Sequence, residues 1–359
     1  QSSVSPEFHF GLSANTRIDL ISIEWPNGNY YELSNPEINQ MIILDIKDSY
    51  SNNKTNSKND KLLFVSENIV EHKNVENDYN DYEKEVLLPH QNSKLGPGIA
   101  TGDINGDGLD DIVIGGAKEQ PTTFYFQLKN GKFRNKVYNF SKQDSIYEDM
   151  DILLFDADND GDNDCYIVSG GNEFDIDSPY LIDRLYINDG NGNFSLSENK
   201  LPTEINFFNS GTVEVSDIDG DEDLDLFVGE RLISDSYGLP GSGVLLLNNG
   251  KGSFTNVTLD NAPEFQNLGM ITDAIFVDID NDKDEDLIVV GEFMGIKLFY
   301  NQNGKFTSSL SNLSSYKGWW QTIDSADFNG DGLMDIIVGN HGLNSRFSAN
   351  KKINGNKFK

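Results

Sequence analysis

Five nine-residue stretches of this chain carry oxygen-bearing side chains at fixed positions. They are Asp103-Ile-Asn-Gly-Asp-Gly-Leu-Asp-Asp111, Asp156-Ala-Asp-Asn-Asp-Gly-Asp-Asn-Asp164, Asp217-Ile-Asp-Gly-Asp-Glu-Asp-Leu-Asp225, Asp278-Ile-Asp-Asn-Asp-Lys-Asp-Glu-Asp286 and Asp327-Phe-Asn-Gly-Asp-Gly-Leu-Met-Asp335. Positions 1, 3, 5 and 9 are Asp103, Asn105, Asp107 and Asp111 in the first copy and Asp156, Asp158, Asp160 and Asp164 in the second. The third has Asp217, Asp219, Asp221 and Asp225, the fourth Asp278, Asp280, Asp282 and Asp286, the fifth Asp327, Asn329, Asp331 and Asp335. Position 7 is Leu109, Asp162, Asp223, Asp284 or Leu333, where a main-chain carbonyl is the expected ligand whatever the side chain. Carboxylates packed so closely repel one another and call for a counter-charge. Oxygens at these five positions can wrap a hard cation of calcium's size, whereas magnesium demands near-ideal octahedral geometry and fits worse. Glycine at position 4 or 6 in several copies permits the sharp reversal that turns alternate side chains inward. The expectation is one Ca2+ per loop, about five ions in all.

The EF-hand uses a similar opening pattern but needs a bidentate glutamate at position 12 and a helix on each side. Position 12 here is Ile114, Ile167, Val228, Val289 or Val338, which excludes it. Plain solvated turns would not repeat one internal spacing five times. Cation loops that lead into strands remain.

The elements that must hold these loops repeat with them. First residues are spaced 53, 61, 61 and 49 apart. Each loop runs into a short apolar, β-rich segment: Ile112–Ile114, Tyr166–Val168, Leu226–Val228, Leu287–Val290 and Ile336–Val338. A hairpin follows most copies, as in Tyr186–Phe194, Leu246–Phe254 and Phe299–Phe306, with Asn and Gly at the turns. One repeat therefore supplies about four strands, the content of a propeller blade. The expected fold is all-β, a β-propeller of four-stranded blades over residues 61–359. Ahead of it, residues 1–46 read as a small β segment with a hairpin around Pro26–Asn29 and a third strand at Met41–Ile46, and the polar residues 47–60 read as a linker.

Composition narrows the partners. A net charge of −32 repels nucleic acid and anionic lipid. No run of eighteen apolar residues argues for direct membrane insertion. Cys165 is the only cysteine, so no intrachain disulfide forms, and its place in an apolar strand suits a buried thiol. Residues 1–20 lack the pattern of a signal peptide.

The repeated loop-and-strand unit resembles the FG-GAP or VCBS repeat, the blade unit found also in integrin α subunits. Phe8-His-Phe-Gly-Leu12 with Ile18–Gly28 and Asn39-Gln40 resembles the ASPIC/UnbV domain. Leu87-Leu-Pro-His90, Gly96–Ala100, Gly170–Phe174, Gly318-Trp-Trp320 and Gly339–Ser345 look like tandem-repeat proteins of Bacteroidota type. Such proteins normally extend beyond both ends of this chain, so the resemblance implies a fragment, or a ring completed by residues without the motif. It also implies calcium-stabilised folding, export to the outside or outer-membrane surface of a Gram-negative bacterium, and binding of a protein or glycan.

In a four-stranded antiparallel blade the cation loop joins strands 1 and 2, so the 2–3 and 4–1 connections gather on the opposite face. Candidate ligand-binding residues there are Glu173, Arg231, Trp319, Trp320 and His341, with Asn172, Phe174, Tyr237 and Glu292 nearby. Packing between blades is the competing reading for the two tryptophans. His341 is the one histidine of four expected on this face, and no catalytic motif stands in the sequence. A non-catalytic binding module is therefore expected. The alternatives are a structural subunit docking to outer-membrane complex subunits through the N-terminal segment, and a calcium-dependent polysaccharide lyase-like enzyme.

Overall fold

A computed structural model describes residues 17–25, 29–51, 69–197, 201–205, 208–309 and 311–342. The chain divides into two compact units, residues 1–67 and 68–359.

In the first unit β1 (Leu20–Glu24) and β2 (Asn29–Ser34) form an antiparallel hairpin with Ile21 opposite Leu33 and Ile23 opposite Tyr31. The third strand is not at Met41–Ile46, as expected. It is β3 (Tyr50–Ser51), which pairs with the start of β2. Met41 and Ile43 are 76% and 87% exposed. The Asp45 carboxylate caps a 3₁₀ turn over Ile46–Asp48 through the Lys47 N–H, and Asn29 Nδ2 donates to Ser49 Oγ at 3.1 Å. That geometry brings Tyr50 to the strand edge, inside the stretch expected as linker. Residues 1–16 of the expected segment, its turn at 26–28, and residues 52–60 lie outside the described residues.

The second unit is a succession of antiparallel sheets. The first contains β4 (Ile99–Gly102), β5 (Asp111–Ile114), β6 (Thr123–Gln127) and β7 (Phe133–Lys136); the second β8 (Asp149–Phe155), β9 (Asp164–Ser169), β10 (Arg184–Ile187) and β11 (Ser195–Leu196). The third contains β12 (Ser210–Ser216), β13 (Asp225–Glu230), β14 (Gly243–Leu247) and β15 (Thr255–Asn256); the fourth β16 (Met270–Val277), β17 (Asp286–Gly295), β18 (Lys297–Asn301) and β19 (Phe306–Ser308). The fifth repeat contributes β20 (Lys317–Ala326) and β21 (Asp335–Asn340). Strand order within each four-stranded sheet follows the chain, and every aspartate loop joins a first strand to a second. First strands of successive sheets are neighbours, from β4 through β8, β12 and β16 to β20. Among the described residues no ladder joins β21 back to β4, and no sheet is closed.

The apolar run after each loop has a physical reason. The second strands β9, β13 and β17 are covered on both faces, so alternate residues enter alternate cores, whereas β21 leaves Ile337 58% exposed. Cys165 and Ile167 pack with the first sheet beside Val113 and Phe124, whereas Tyr166 and Val168 pack with Val213, Leu226 and Val228 of the third. Phe227 turns the other way, to Phe265, Leu287 and Val289. Ile288 and Val290 face Ile323, Ile336 and Val338 of the fifth repeat. Burial on two faces removes the polar alternation that a one-sided sheet would show.

Carboxylates pin neighbouring first strands. Asp151 Oδ2 accepts the Val213 N–H at 3.1 Å, and Asp273 Oδ2 accepts the Ile323 N–H at 2.8 Å and the Thr322 hydroxyl at 2.7 Å. Asp273→Ala leaves that N–H and hydroxyl without acceptors. The expected loss is about 2 kcal/mol, read as a lower denaturant midpoint at unchanged m-value.

Candidate metal loops and the opposite face

All five loops share one hydrogen-bond frame. The position-1 carboxylate receives main-chain N–H groups from inside the loop: Asp103 from Gly106, Asp107 and Gly108, Asp217 from Gly220, Asp221 and Glu222, and Asp327 from Gly330, Asp331 and Gly332. Asp156 and Asp278 accept from positions 5 and 6. Position 5 accepts the N–H of position 7 in every copy. The position-9 carboxylate accepts the N–H of position 2 in every copy. In the first four its other oxygen takes the N–H of Gln127, Asn188, Asn248 or Asn301 at the end of the third strand.

Positions 4 and 6 both adopt left-handed φ in all five loops. Gly, Asn159 and Asn281 tolerate this, but Glu222 at 70° and Lys283 at 83° do not. Lys283→Gly is expected to stabilise the fold by about 1 kcal/mol, measured by denaturant unfolding.

The middle three loops assemble acidic triads. Ligand atoms of Asp156, Asp158 and Asp164, of Asp217, Asp219 and Asp225, and of Asp278, Asp280 and Asp282 lie within 4.8 Å of one another. In the second loop Asp162 Oδ1 is buried with no hydrogen-bond partner. Buried, mutually repelling acceptors of this kind fit a hard divalent cation. Loops one and five differ because position 3 is asparagine. Asn105 Nδ2 donates to Asp111 at 2.8 Å and Asn329 Nδ2 to Asp335 at 3.1 Å, so the amide already satisfies position 9. A cation there requires the amide to turn its oxygen inward. The side chains of Leu109 and Leu333 offer no oxygen, leaving only the main chain at position 7.

Electrostatics separates the two ends of each loop. Burial alone would raise Asp103, yet the N–H groups of Gly108, Asn105, Gly106 and Asp107 hold it below its usual range, and similar donors lower Asp327. Position 9 moves oppositely. Burial, helped by nearby carboxylates, pushes Asp164 and Asp225 up to about 7 and Asp286 up to about 6. Folded values above the unfolded ones mean that the metal-free fold binds extra protons. Its stability should therefore fall as pH rises from about 4 to about 7, and the stabilisation by calcium should grow over the same window. Melting temperatures across that range, with and without calcium, test the sign.

The sequence did not announce what ties the loops together. Asn188 Nδ2 donates to Ile104 O at 3.0 Å, Asn248 Nδ2 to Ala157 O at 2.8 Å, and Asn301 Nδ2 to Ile218 O at 2.8 Å. Each buried amide thus holds the loop of the preceding repeat while its own N–H holds position 9 of its own loop. The available signal is an asparagine ending each apolar third strand, after Ile187, Leu247 and Tyr300.

On the opposite face the structure brings Arg231, Trp319 and His341 together with Glu292, Tyr237 and His90. Arg231 Nη2 is 2.7 Å from Glu292 Oε1, and the Tyr237 hydroxyl donates to Oε2 at 2.5 Å. His90 Nε2 lies 3.7 Å from Glu292, and its ring centroid is 5.3 Å from that of Trp319, which stacks on His341 at 4.2 Å. His90 thus joins His341 here, correcting the expectation of one histidine. Burial lowers its basicity, with Glu292 acting the other way, so the ring is neutral near pH 7. Trp319 is 5% exposed and lies within β20, in line with the packing reading of this residue. Trp320 packs into the core between the fourth and fifth repeats, its Nε1 on Met294 O at 3.1 Å. Glu173 sits apart, beside Lys118 at 3.3 Å.

The family described as FG-GAP-like repeat matches residues 103–167, 156–228 and 278–338, and ASPIC and UnbV matches residues 1–51. No curated protein matches the chain. Among solved structures it is similar to the exotype rhamnogalacturonan lyase YesX, at 13% identity and TM-score 0.39 over 67% of this chain and 44% of that one. Similarity to the rhamnogalacturonan lyase YesW has the same identity and TM-score, over 70% and 47% of the two chains. A Bacillus licheniformis rhamnogalacturonan lyase follows at 12% and 0.33, over 67% and 55%. The chain spans about half the length of these structures.

Proposed function

Because the chain belongs to the FG-GAP-like repeat family, we propose that it is a calcium-stabilised, propeller-like binding module, non-catalytic and exported, that recognises a protein or glycan. The observation that carries this reading is the division of labour between the two ends of the sheets. One end is taken up by acidic loops latched to one another. The other gathers arginine, tyrosine, tryptophan and two histidines around Glu292, with Glu292 and Trp319 held on the paired strands β17 and β20 and with Arg231, Tyr237, His90 and His341 on the connections beside them. Calcium supports the assignment to the outside or outer-membrane surface of a Gram-negative cell, where the ion is abundant enough to fill several sites. Glycan arrays and pull-downs from envelope extracts test the reading. Binding should weaken with His341→Ala while melting behaviour in calcium changes little, and with Tyr237→Phe alongside a modest loss of stability, because Glu292 Oε2 then lacks its donor. Retention of every captured ligand by both variants would remove the face from the proposal.

A second reading has its own observation. A neutral His90 beside Tyr237, Arg231 and Glu292 has the acid–base groups that a lyase acting on uronic polymers needs. Appearance of unsaturated sugar ends on incubation with acidic polysaccharides, lost in His90→Ala, would replace the binding reading. The structural-subunit alternative draws on exposed Met41 and Ile43 in the N-terminal unit, and co-purification with outer-membrane complex subunits would support it.

A further inference from the structure

The segment ahead of the first sheet binds two of the connections at the end of the sheets opposite the aspartate loops. Lys84 Nζ lies 2.8 Å from Asp175 Oδ1 and 3.4 Å from Asp235 Oδ1. The neighbouring Glu85 accepts the Tyr237 N–H at 2.8 Å and Asn172 Nδ2 at 3.3 Å. Three stretches distant in sequence, residues 82–87, 175–177 and 235–239, are thereby held together. Each leaves an aliphatic side chain in water within two residues of one of these contacts. Val86 and Leu87 are 75% and 91% exposed, and Ile176 and Leu239 are more than half exposed. Leu88 is buried, so the chain anchors one leucine and turns its neighbour outward. Asp175 and Ile176 also border a cavity of about 550 Å³ walled by Ile146, Phe174 and Tyr180, with the Phe174 and Tyr180 ring centroids 5.7 Å apart. The Lys118 ammonium and the Glu173 carboxylate, which line the same cavity, lie 3.3 Å apart and serve each other. An incoming group therefore meets walls that are largely apolar.

Exposed aliphatic side chains scattered singly need no explanation, but several gathered beside an apolar cavity mark an interaction site. Their chemistry narrows the occupant. Branched aliphatics offer neither hydrogen-bonding groups nor the flat ring faces on which sugars stack. The rim is acidic: Glu83, Asp175, Asp177 and Asp235 are exposed, and Lys84, shared between two of them, is the one basic residue in the three stretches. Such a rim repels an anionic lipid surface, and with the net charge of −32 it repels a second copy of this chain. We propose that Val86, Leu87, Ile176 and Leu239 dock a protein partner whose contact surface sets aliphatic or aromatic side chains within a rim of Lys and Arg, one apolar side chain entering the cavity beside Ile176. The proposal rests on the reading of this end of the sheets as the recognition end. It narrows that reading from protein or glycan to protein, through side chains outside the cluster around Glu292.

A displayed library of random peptides, selected on the full chain in calcium, tests the proposal. Selection should enrich peptides in which aliphatic or aromatic residues are flanked by Lys and Arg. Their affinity should fall about tenfold with Leu87→Ser and with Ile176→Ser, and should weaken as salt is raised. Both serine variants should keep the parental melting curve, because the side chains they replace are exposed. No enrichment, or peptides bound equally well by both serine variants, would overturn the proposal. Ligands lost with His341→Ala but kept by both serine variants would preserve the recognition end and reject the patch, whereas ligands kept by all three variants would reject both. A concentration-dependent dimer broken by Leu87→Ser would give the patch to a second copy and overturn the proposal. So would capture that rises on removing residues 343–359, whose charged side chains are all basic, since the occupant would then be the chain itself.

Discussion

Removing calcium should lower the apparent melting temperature of the protein by roughly 15 °C, and magnesium at the same concentration should restore only a small part of it. The estimate rests on the three loops that assemble acidic triads. A ligand present at a hundred times its dissociation constant stabilises the fold by about 2.7 kcal/mol per site, so three sites contribute roughly 8 kcal/mol. In a unit of this size each kcal/mol moves the midpoint by about 2 °C. Magnesium lags because loops with five or more oxygens at flexible spacing do not give the compact octahedron it demands. Superimposable melting curves in calcium, magnesium and chelator would sink the assignment of these loops as metal sites.

The second large effect is expected from a residue that holds no metal. Asn248→Ala should destabilise the protein by roughly 3 kcal/mol and weaken calcium binding at the second loop, as seen by denaturant titration and calorimetry. The Asn248 amide serves two main-chain carbonyls, Ala157 O at 2.8 Å and Leu224 O at 3.0 Å, one in the second loop and one in the third. Truncation leaves both carbonyls without that donor, and the second loop loses the contact that fixes its position 2. Asn248→Asp is expected to be at least as harmful, because it directs a carboxylate at the same two carbonyls. A variant with parental stability and parental calcium affinity would show that the loops are ordered independently.

What could be read from the sequence was whatever the chain repeats locally. The spacing of Asp217, Asp219, Asp221 and Asp225 states the chemistry of a loop, and the run Leu226–Val228 states a strand buried on both sides, because loop and strand are each formed by consecutive residues. The asparagine latches escaped notice because Asn248 beside Asn249 and Gly250 looks like an ordinary turn residue, and its partners lie 91 and 24 positions away. His90 was opaque for a similar reason: nothing around it signals an approach to Trp319 and Glu292. The misplaced third strand of the N-terminal unit shows the converse error. Met41–Ile46 is an apolar, β-rich run, but a strand also needs an edge to join, and Tyr50 has the edge.

The unequal joining of the sheets has a mechanical consequence. β17 runs past the left-handed Phe293, pairing first with β18 and then, through Glu292–Gly295, with Trp319–Lys317 of β20. The fourth and fifth repeats are therefore welded by a strand ladder, whereas the first and second sheets share main-chain bonds at Asp149 with Gly98 and Gly116, the third and fourth repeats share the single bridge of Gly241 with Gly269, and side-chain pins such as Asp151 add to these. Pulled from its ends, the chain should surrender its earlier repeats one at a time and its last two together, in a single longer extension at higher force.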